Sequence, residues 1–487
     1  MDIVVSKTKE GIQSDVLFLP IFQDRRFGKI TSEINKELKG LIDNALKLDE
    51  FSGELGKFYN ILYNSKIKRI VLTGLGKEKE FSKEKFRKAV GNITRYARGL
   101  KAKKIAVCLE NVNFKAYDLG FMCAEGLILG NYSFEQHKTK ERDKITYVGN
   151  AVLITDEKIN EGIEEGKIVS ESVLIARDLV NTPSMIKVPV YIAEKAKKIC
   201  SENKISFKVF YKNELKKMGM NALLAVNAGS VNEPAFLVME YNPKGKDKIA
   251  VVGKGITFDS GGLGIKPANY MKDMKEDMSG AASVIALMRV ASLLKLKQNI
   301  IGIAPLTENM PGNNAYKPGD IIKAYNGKTI EIQHTDAEGR VILADGLSYA
   351  SKIKPKTIID LATLTGAIVV TLGDSVAGIM GNDKFLINNL IRAGEESGER
   401  LWELPMYDEY AEMIKSDVAD VKNIGGWEGK AGSITGAMML KEFVDEGIKW
   451  AHLDIAGTAM SEKDDGYLAK GATGFGVRLL VEYLKRS

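Results

Sequence analysis

Residues 331–347 read EIQHTDAEGRVILADGL, with two acids, Asp336 and Glu338, at alternate positions and an arginine, Arg340, two further on. If strand geometry persists to this point, alternate side chains point the same way and both carboxylates face one side. The following GRVILADGLSYA is helix-like, so the acids fall where a strand hands over to a helix. Ligands of α/β sheets bind outside the carboxyl ends of strands. Acids at a helix start also cap amides and complement the helix dipole, so the pair alone does not define a site. Two further stretches add to it. IAVVGKGITFDSGGLGIKP runs from a buried-strand pattern into Lys254, Asp259 and Lys266, and MKEDMSGAASVIAL places Asp277 just before another helix. Four carboxylates (Asp259, Asp277, Asp336, Glu338) converging without metal would repel strongly in a low dielectric. Two divalent cations would balance them one for one.

His137, His334 and His452 are the only histidines. A three-histidine zinc site or a histidine-based nucleophile triad would consume nearly all of them. A carboxylate-dominated dinuclear site is more economical, and its oxygen ligands suit manganese, magnesium or zinc. Rival motifs fail locally: TGLGKEKE lacks the GxxxxGK[ST] phosphate loop, VGKGITFDSGG lacks the third glycine of GxGxxG, and no Gly-x-Ser-x-Gly elbow surrounds Ser260.

The elements that must position these residues follow from hydrophobic period. Strand-like runs (DVLFLPIF, KIKRIVLTGLG, KKIAVCLE, AVLIT) alternate with amphipathic stretches (SEINKELKGLIDNALK, KEKFRKAVGNITRYARGL) up to about Thr155. That alternation predicts an α/β layer domain over residues 1–155. Helical spacing of Ile159, Ile163, Val169, Val173, Ala176 and Val180 predicts a linking helix over 156–182, stopping before Pro183. Over 183–487 the alternation resumes in a larger unit, with AFLVMEY, KIAVVG, NIIGIAPL, TIIDLA and WAHLDIAG as buried strands. Asn326-Gly327 predicts a hairpin turn in YNGKTIEIQ.

Composition leaves the class open to an ordinary folded enzyme. The 487 residues are 45% hydrophobic and 27% charged, with 70 basic against 63 acidic side chains. Cys108, Cys123 and Cys200 have no metal or redox spacing, which predicts a reducing, cytoplasmic compartment. The opening MDIVVSKTKEGIQSD leaves no room for the apolar core of a secretory signal. The longest apolar stretch, TIIDLATLTGAIVVTLG, contains Asp360 and four threonines and falls short of a membrane span.

With those residues placed, VGKGITFDSGG, MKEDMSGAA and TDAEGR resemble the motifs of the M17 leucyl aminopeptidases, cytosol aminopeptidases with two metals. RDLVNTPS, LATLTGA, SDVADVKNIGG, HLDIAGTA and KGATGFGVRLL support the resemblance from about Arg177 to the end. It implies a smaller N-terminal α/β domain with a macro-domain-like sheet, and a larger catalytic α/β domain whose mixed central sheet is flanked by helices. It also implies a metal-dependent aminopeptidase that releases an N-terminal, preferably leucine-like, residue from peptides with a free N-terminus. One metal would be held by Lys254, Asp259, Asp277 and Glu338, the other by Asp259, Asp336 and Glu338. A ligating lysine must be the neutral amine, which adjacent cations would favour. Lys266 matches the catalytic lysine that polarises the scissile carbonyl, and Arg340 the arginine that holds a bicarbonate ion. Met274, Thr363, Gly366 and Ala459 match positions lining the first side-chain pocket. The family is hexameric, so a homohexamer is expected.

Three positions depart from the family pattern: His334 stands where asparagine is usual, Val341 where leucine is, and Ser279 where glycine is. His334 reads as a hydrogen bonder to a neighbouring polar group or as an extra ligand. A second reading assigns the N-terminal lysines, such as Lys101, Lys103 and Lys104, to nucleic acid, in which case retention on DNA would be salt-sensitive.

Overall fold

The structure is a computed structural model that describes residues 1–24, 27–48, 50–63, 66–141, 144–245, 247–425 and 430–486. Gly426, at the end of SDVADVKNIGG, lies outside the described residues. The chain divides into two compact units, 1–171 with 463–470, and 172–462 with 471–487. The division falls within the helix Asn160–Asn181.

In the first unit five parallel strands, in the order Asp2–Ser6, Asn150–Ile154, Lys104–Cys108, Ser14–Phe22 and Ile67–Gly76, are closed at one edge by the antiparallel Phe58–Leu62. The amphipathic run 32–47 is two helices, Lys29–Glu37 and Leu41–Lys47, because Gly40 takes a left-handed φ of 81° between them. Helices Lys83–Gly99 and Ala116–Gly130 approach closely enough that a Cβ on Gly126 would lie 2.5 Å from that of Val90. A buried Arg87–Glu125 ion pair at 2.6 Å joins them.

The second unit is built on a nine-stranded mixed sheet. Its central parallel strands run Lys449–Asp454, Thr357–Ala362, Lys248–Gly253 and Asn299–Asn309, with Ala235–Tyr241 and Ser206–Tyr211 antiparallel on one side. Ala377–Gly381 and Leu401–Glu403 complete the other side. Every residue of Thr357–Ala362 and Asn299–Asn309 is buried, as expected of largely apolar strands covered on both faces. Helices Ser279–Leu293 and Glu338–Lys352, themselves almost wholly buried, pack against these strands. The predicted hairpin forms from Ile321–Lys323 and Thr329–Glu331, with Gly327 at φ 96°. Among the described residues no helix is long and apolar enough to cross a membrane.

Candidate active site

The site gathers at the carboxyl ends of the central strands. The long strand Asn299–Asn309 pairs first with Lys248–Gly253 and then with Gly255–Asp259. Lys254 is the residue at the jog between those two. Its N–H donates to the Leu361 carbonyl at 3.0 Å, and its own carbonyl accepts from the Ala281 N–H at 2.9 Å. Three backbones meet here only because two positions lack side chains. A Cβ on Gly253 would lie 2.4 Å from the Gly280 oxygen, and one on Gly280 2.1 Å from the Leu361 oxygen. Gly339 does the same for the side chain of Lys254: a Cβ there would stand 2.5 Å from Lys254 Cε.

Asp259 ends the strand Gly255–Asp259, and its Oδ1 accepts from the Gly261 N–H and from Asn309 Nδ2, both at 2.8 Å. Gly261 and Gly262 then turn the chain with φ of 88° and 65°. The loop returns so that Lys266 Nζ lies 2.9 Å from Asp259 Oδ2 and 2.7 Å from Asp336 Oδ1. Asp277 follows a short 3-10 turn, Met274–Glu276, ahead of the helix Ser279–Leu293. Its Oδ1 accepts from Thr363 Oγ1 at 2.8 Å and pairs with Lys254 Nζ at 2.7 Å. Lys254 Nζ also stands 2.9 Å from Glu338 Oε1 and donates to the Thr363 carbonyl at 2.9 Å.

The expectation that Asp336 and Glu338 share one face of a strand is not met. The strand Thr329–Glu331 ends five residues earlier, and the chain turns through His334–Ala337 before Glu338 opens the helix. His334 Nδ1 accepts the Asp336 N–H at 3.1 Å, which fixes that turn. The two carboxylates converge all the same: single oxygens of Asp259, Asp336 and Glu338 lie within 4.8 Å of one another.

Arg340 is 7% exposed; its Nη1 donates to the Asn423 carbonyl at 3.0 Å, whereas its Nε has no hydrogen-bond partner. Of the four positions expected to line a first side-chain pocket, Thr363 joins the cluster directly, and Met274 lies three residues before Asp277 in the same turn. Ala459 is buried just beyond the strand Lys449–Asp454. Gly366 is exposed, with nothing within 4 Å of where a Cβ would be.

Several supporting residues carried no signal of their own, Asn423 being marked only as part of SDVADVKNIGG. Asn423 accepts from the N–H groups of Gln333 and His334 and donates to the His334 carbonyl at 2.7 Å, holding the acid-bearing turn. Asn309 and Tyr316 both donate to the Thr335 carbonyl, at 3.0 and 2.6 Å. Lys187, wholly buried, donates to the carbonyls of Val180 and Lys275, tying the end of the helix Asn160–Asn181 to the turn before Asp277.

The electrostatics are those of a crowded anionic centre. Burial, then repulsion from Glu338, pushes the Asp259 carboxyl up to about 7. Burial likewise lifts Asp277 well above the usual carboxylate range and raises Asp336, with Lys254 and Lys266 respectively resisting. Glu338 is also opposed by burial, but attraction from Lys254 and Lys266 outweighs it and lowers its value. For Lys254, burial would favour the neutral amine, yet Asp277, Glu338 and Asp259 hold the ammonium. That is the state expected of this lysine wherever carboxylates are its only charged neighbours.

The donor set fits divalent cations. Asp277 Oδ2, Asp336 Oδ1 and both carboxylate oxygens of Glu338 are buried without a hydrogen-bond partner. The lysine contacts to Asp336 Oδ1 and Glu338 Oε1 bring charge within range without hydrogen-bond geometry. Buried anionic oxygens left open in this way are what hard oxygen-seeking cations satisfy.

Such a centre at the carboxyl ends of a mixed, helix-covered sheet defines an α/β metalloenzyme. Comparison with known proteins makes the class specific. Residues 174–481 match the family model "Cytosol aminopeptidase family, catalytic domain", and residues 18–141 match the corresponding N-terminal domain. A probable cytosol aminopeptidase of Geotalea uraniireducens is 42% identical, covering 96% of this chain and 96% of its own. One from Aquifex aeolicus is 43% identical, covering 94% and 93%. Among solved structures, a tomato leucine aminopeptidase mutant superimposes with a TM-score of 0.90 at 35% identity, over 100% of this chain and 97% of that one. The bottromycin maturation enzyme BotP in complex with Mn does so at 0.87 and 30%, over 97% and 99%. The chain belongs to the cytosol aminopeptidase family, and with it to the hydrolases that act as metallo-exopeptidases.

Proposed function

We propose that this aminopeptidase releases leucine-like N-terminal residues from peptides, using two divalent cations, manganese, zinc or magnesium, per subunit. The reading rests on one observation: Lys254, Asp259, Asp277, Asp336 and Glu338 converge with buried oxygens left without partners. Lys254, Asp259, Asp277 and Glu338 would hold one cation and Asp259, Asp336 and Glu338 the other, with Asp259 and Glu338 common to both sets. Bound there, the cations supply Lewis acidity and lower the pKa of water.

The chain's own groups do the rest. Lys266 is 16% exposed at its side chain and reaches the centre between Asp259 and Asp336, where its ammonium meets charge developing on a scissile carbonyl oxygen. The unpartnered Nε–H of Arg340 offers a planar anion a charge-assisted donor, which suits bicarbonate as the carrier of a proton to the leaving amine. Met274, Thr363, Gly366 and Ala459 bound the first side-chain pocket, and open space at Gly366 suits a branched apolar group. The same reading takes residues 183–487 as the catalytic domain and the working form as a cytoplasmic homohexamer.

The test is hydrolysis of L-leucine amide beside its N-acetyl form, before and after chelation, in wild type and Glu338→Ala. Cleavage of the free-amine substrate alone, lost on chelation, restored by a divalent cation and absent in the variant, is the expected outcome. Equal cleavage of the acetylated form, or activity indifferent to chelator, would sink the proposal.

A further inference from the structure

At the opposite end of the catalytic sheet lies a cavity of about 610 Å³. It opens at the amino ends of three adjacent parallel strands, Lys248–Gly253, Thr357–Ala362 and Lys449–Asp454, beside the helices Lys384–Ser397 and Val477–Arg486. The metal-binding candidates follow the carboxyl ends of the same sheet, so the cavity is separate from them. Its size lies within the range of small-molecule sites.

The floor is made by Ile249, Thr357, Leu386 and Tyr483, which are 5%, 6%, 2% and 8% exposed. Neither the Thr357 nor the Tyr483 hydroxyl has a hydrogen-bond partner among the described residues. Both side chains are more than nine-tenths buried as a whole, and their unpartnered hydroxyl oxygens open onto the cavity, where they can donate to an occupant.

The rim sets the sign of that occupant. Five basic side chains line the cavity against two acidic ones. Lys356 is taken by Asp247 at 2.7 Å, Lys449 by Asp383 at 2.9 Å and Arg486 by Glu482 at 2.6 Å. Lys297 and Arg392 have no ion-pair partner among the described residues. Phe385 adds an aromatic face that is 70% exposed, a large apolar group that stays uncovered in the folded chain. Lys449 Nζ stands 5.8 Å from the centre of its ring. Burial and the nearby Asp383 keep the Tyr483 phenol protonated, so it remains a donor.

We propose that this cavity is a second ligand site, which takes a small organic anion: a carboxylate or phosphate on an aromatic or branched apolar body. The anionic group sits between Lys297 and Arg392, and the body rests on Phe385 and the apolar floor. The free hydroxyls of Thr357 and Tyr483 donate to its polar atoms.

The test is calorimetric titration of the metal-loaded enzyme with phenyl phosphate, with inorganic phosphate and benzamide as the two half-ligands. Wild type is compared with the Lys297→Ala/Arg392→Ala double variant and with Tyr483→Phe. One site per chain is expected, weakened about tenfold by loss of the two cations and about threefold by loss of the hydroxyl. Both half-ligands should bind about tenfold more weakly than phenyl phosphate, and hydrolysis of L-leucine amide should be unchanged in the variants. No binding to wild type, or equal binding to wild type and the double variant, overturns the proposal. So does inorganic phosphate binding as well as phenyl phosphate, because the apolar floor would then play no part.

Discussion

Replacing Gly339 by alanine tests whether Lys254 works inside the cluster without removing any charge from it. Deleting Lys254 itself is ambiguous, because it strands Asp277 and Glu338, now 2.7 and 2.9 Å from its ammonium, as unpaired buried anions. A Cβ at Gly339 instead stands 2.5 Å from Lys254 Cε and 2.6 Å from its Nζ. Carbon atoms in contact settle at about 3.5–4.0 Å, so the end of the lysine must retreat by about 1 Å. A metal–ligand bond tolerates only about 0.2 Å, and a misplacement of about 1 Å in a catalytic centre costs on the order of a hundredfold in rate. Global stability should change little. Overpacking costs about 1–3 kcal/mol, and alanine for glycine inside the helix Glu338–Lys352 returns about 1 kcal/mol. The assay is kcat/KM on L-leucine amide at saturating cation, with metal content per chain after dialysis and a thermal melt on the same samples. Gly99→Ala, at the end of the helix Lys83–Gly99 and with nothing within 4 Å of the added Cβ, is the control. A Gly339→Ala enzyme that keeps its metal content and stays within about threefold of wild type would refute the placement of Lys254, since the argument requires on the order of a hundredfold.

Other outcomes follow from the same structure. Asp345 receives the N–H groups of Leu223 and Tyr325 at 2.9 and 2.8 Å, capping the helix Asn221–Asn227 from outside. Asp345→Ala should cost about 2–4 kcal/mol in a denaturant titration, with two buried donors left unpaired. Burial holds the Asp345 carboxyl up to about 7 against 3.8 unfolded. Between those values the unfolded chain binds fewer protons, so this group's contribution is fully present below about pH 4 and lost as pH rises to about 7, on the order of 4 kcal/mol in all. Asp345→Asn should remove that slope from the stability–pH curve. Asp360, wholly buried, accepts from Trp450 Nε1 at 2.7 Å and pairs with His452 Nδ1 at 2.6 Å, so Asp360→Ala should destabilise by about 3–5 kcal/mol. Burial alone would lower the His452 value, but Asp360 raises it above 6.5. The pair's stabilisation is therefore greatest below about pH 6.5 and lost as pH rises through the higher folded value, and Asp360→Asn should flatten that part of the curve. Gly366→Val should move substrate preference from leucine amide toward alanine amide, read as the ratio of their kcat/KM values, by about 10–100-fold.

The strands and the acids were legible in the sequence because both are written in local chemistry. Short, mostly apolar runs such as TIIDLA and IAVVG read as strands buried on both faces, and every residue of them is buried. Asp277 and Glu338 stand at the starts of two buried helices that lead back into parallel strands of the sheet, which puts both acids at its carboxyl end. The hairpin at Gly327 was readable for the same reason, since Asn-Gly suits only a few turns. The geometry joining Asp336 to Glu338 was not. Alternation implied a strand, but the turn there is fixed by His334 on one side and Asn423 on the other, and Asn423 lies far away in sequence.

The glycines mark where local reading gives way to packing. GKG, MSG and AEG look like loop punctuation, yet Gly253, Gly280 and Gly339 each sit where another group already occupies the volume of a Cβ. Gly253 and Gly280 clear the space in which three backbones bond around Lys254, and Gly339 clears the path of its side chain. A lysine can reach this buried group of acids only through such a channel. The acids bring the charge, and the missing side chain at position 339 leaves the room in which the end of the lysine meets them.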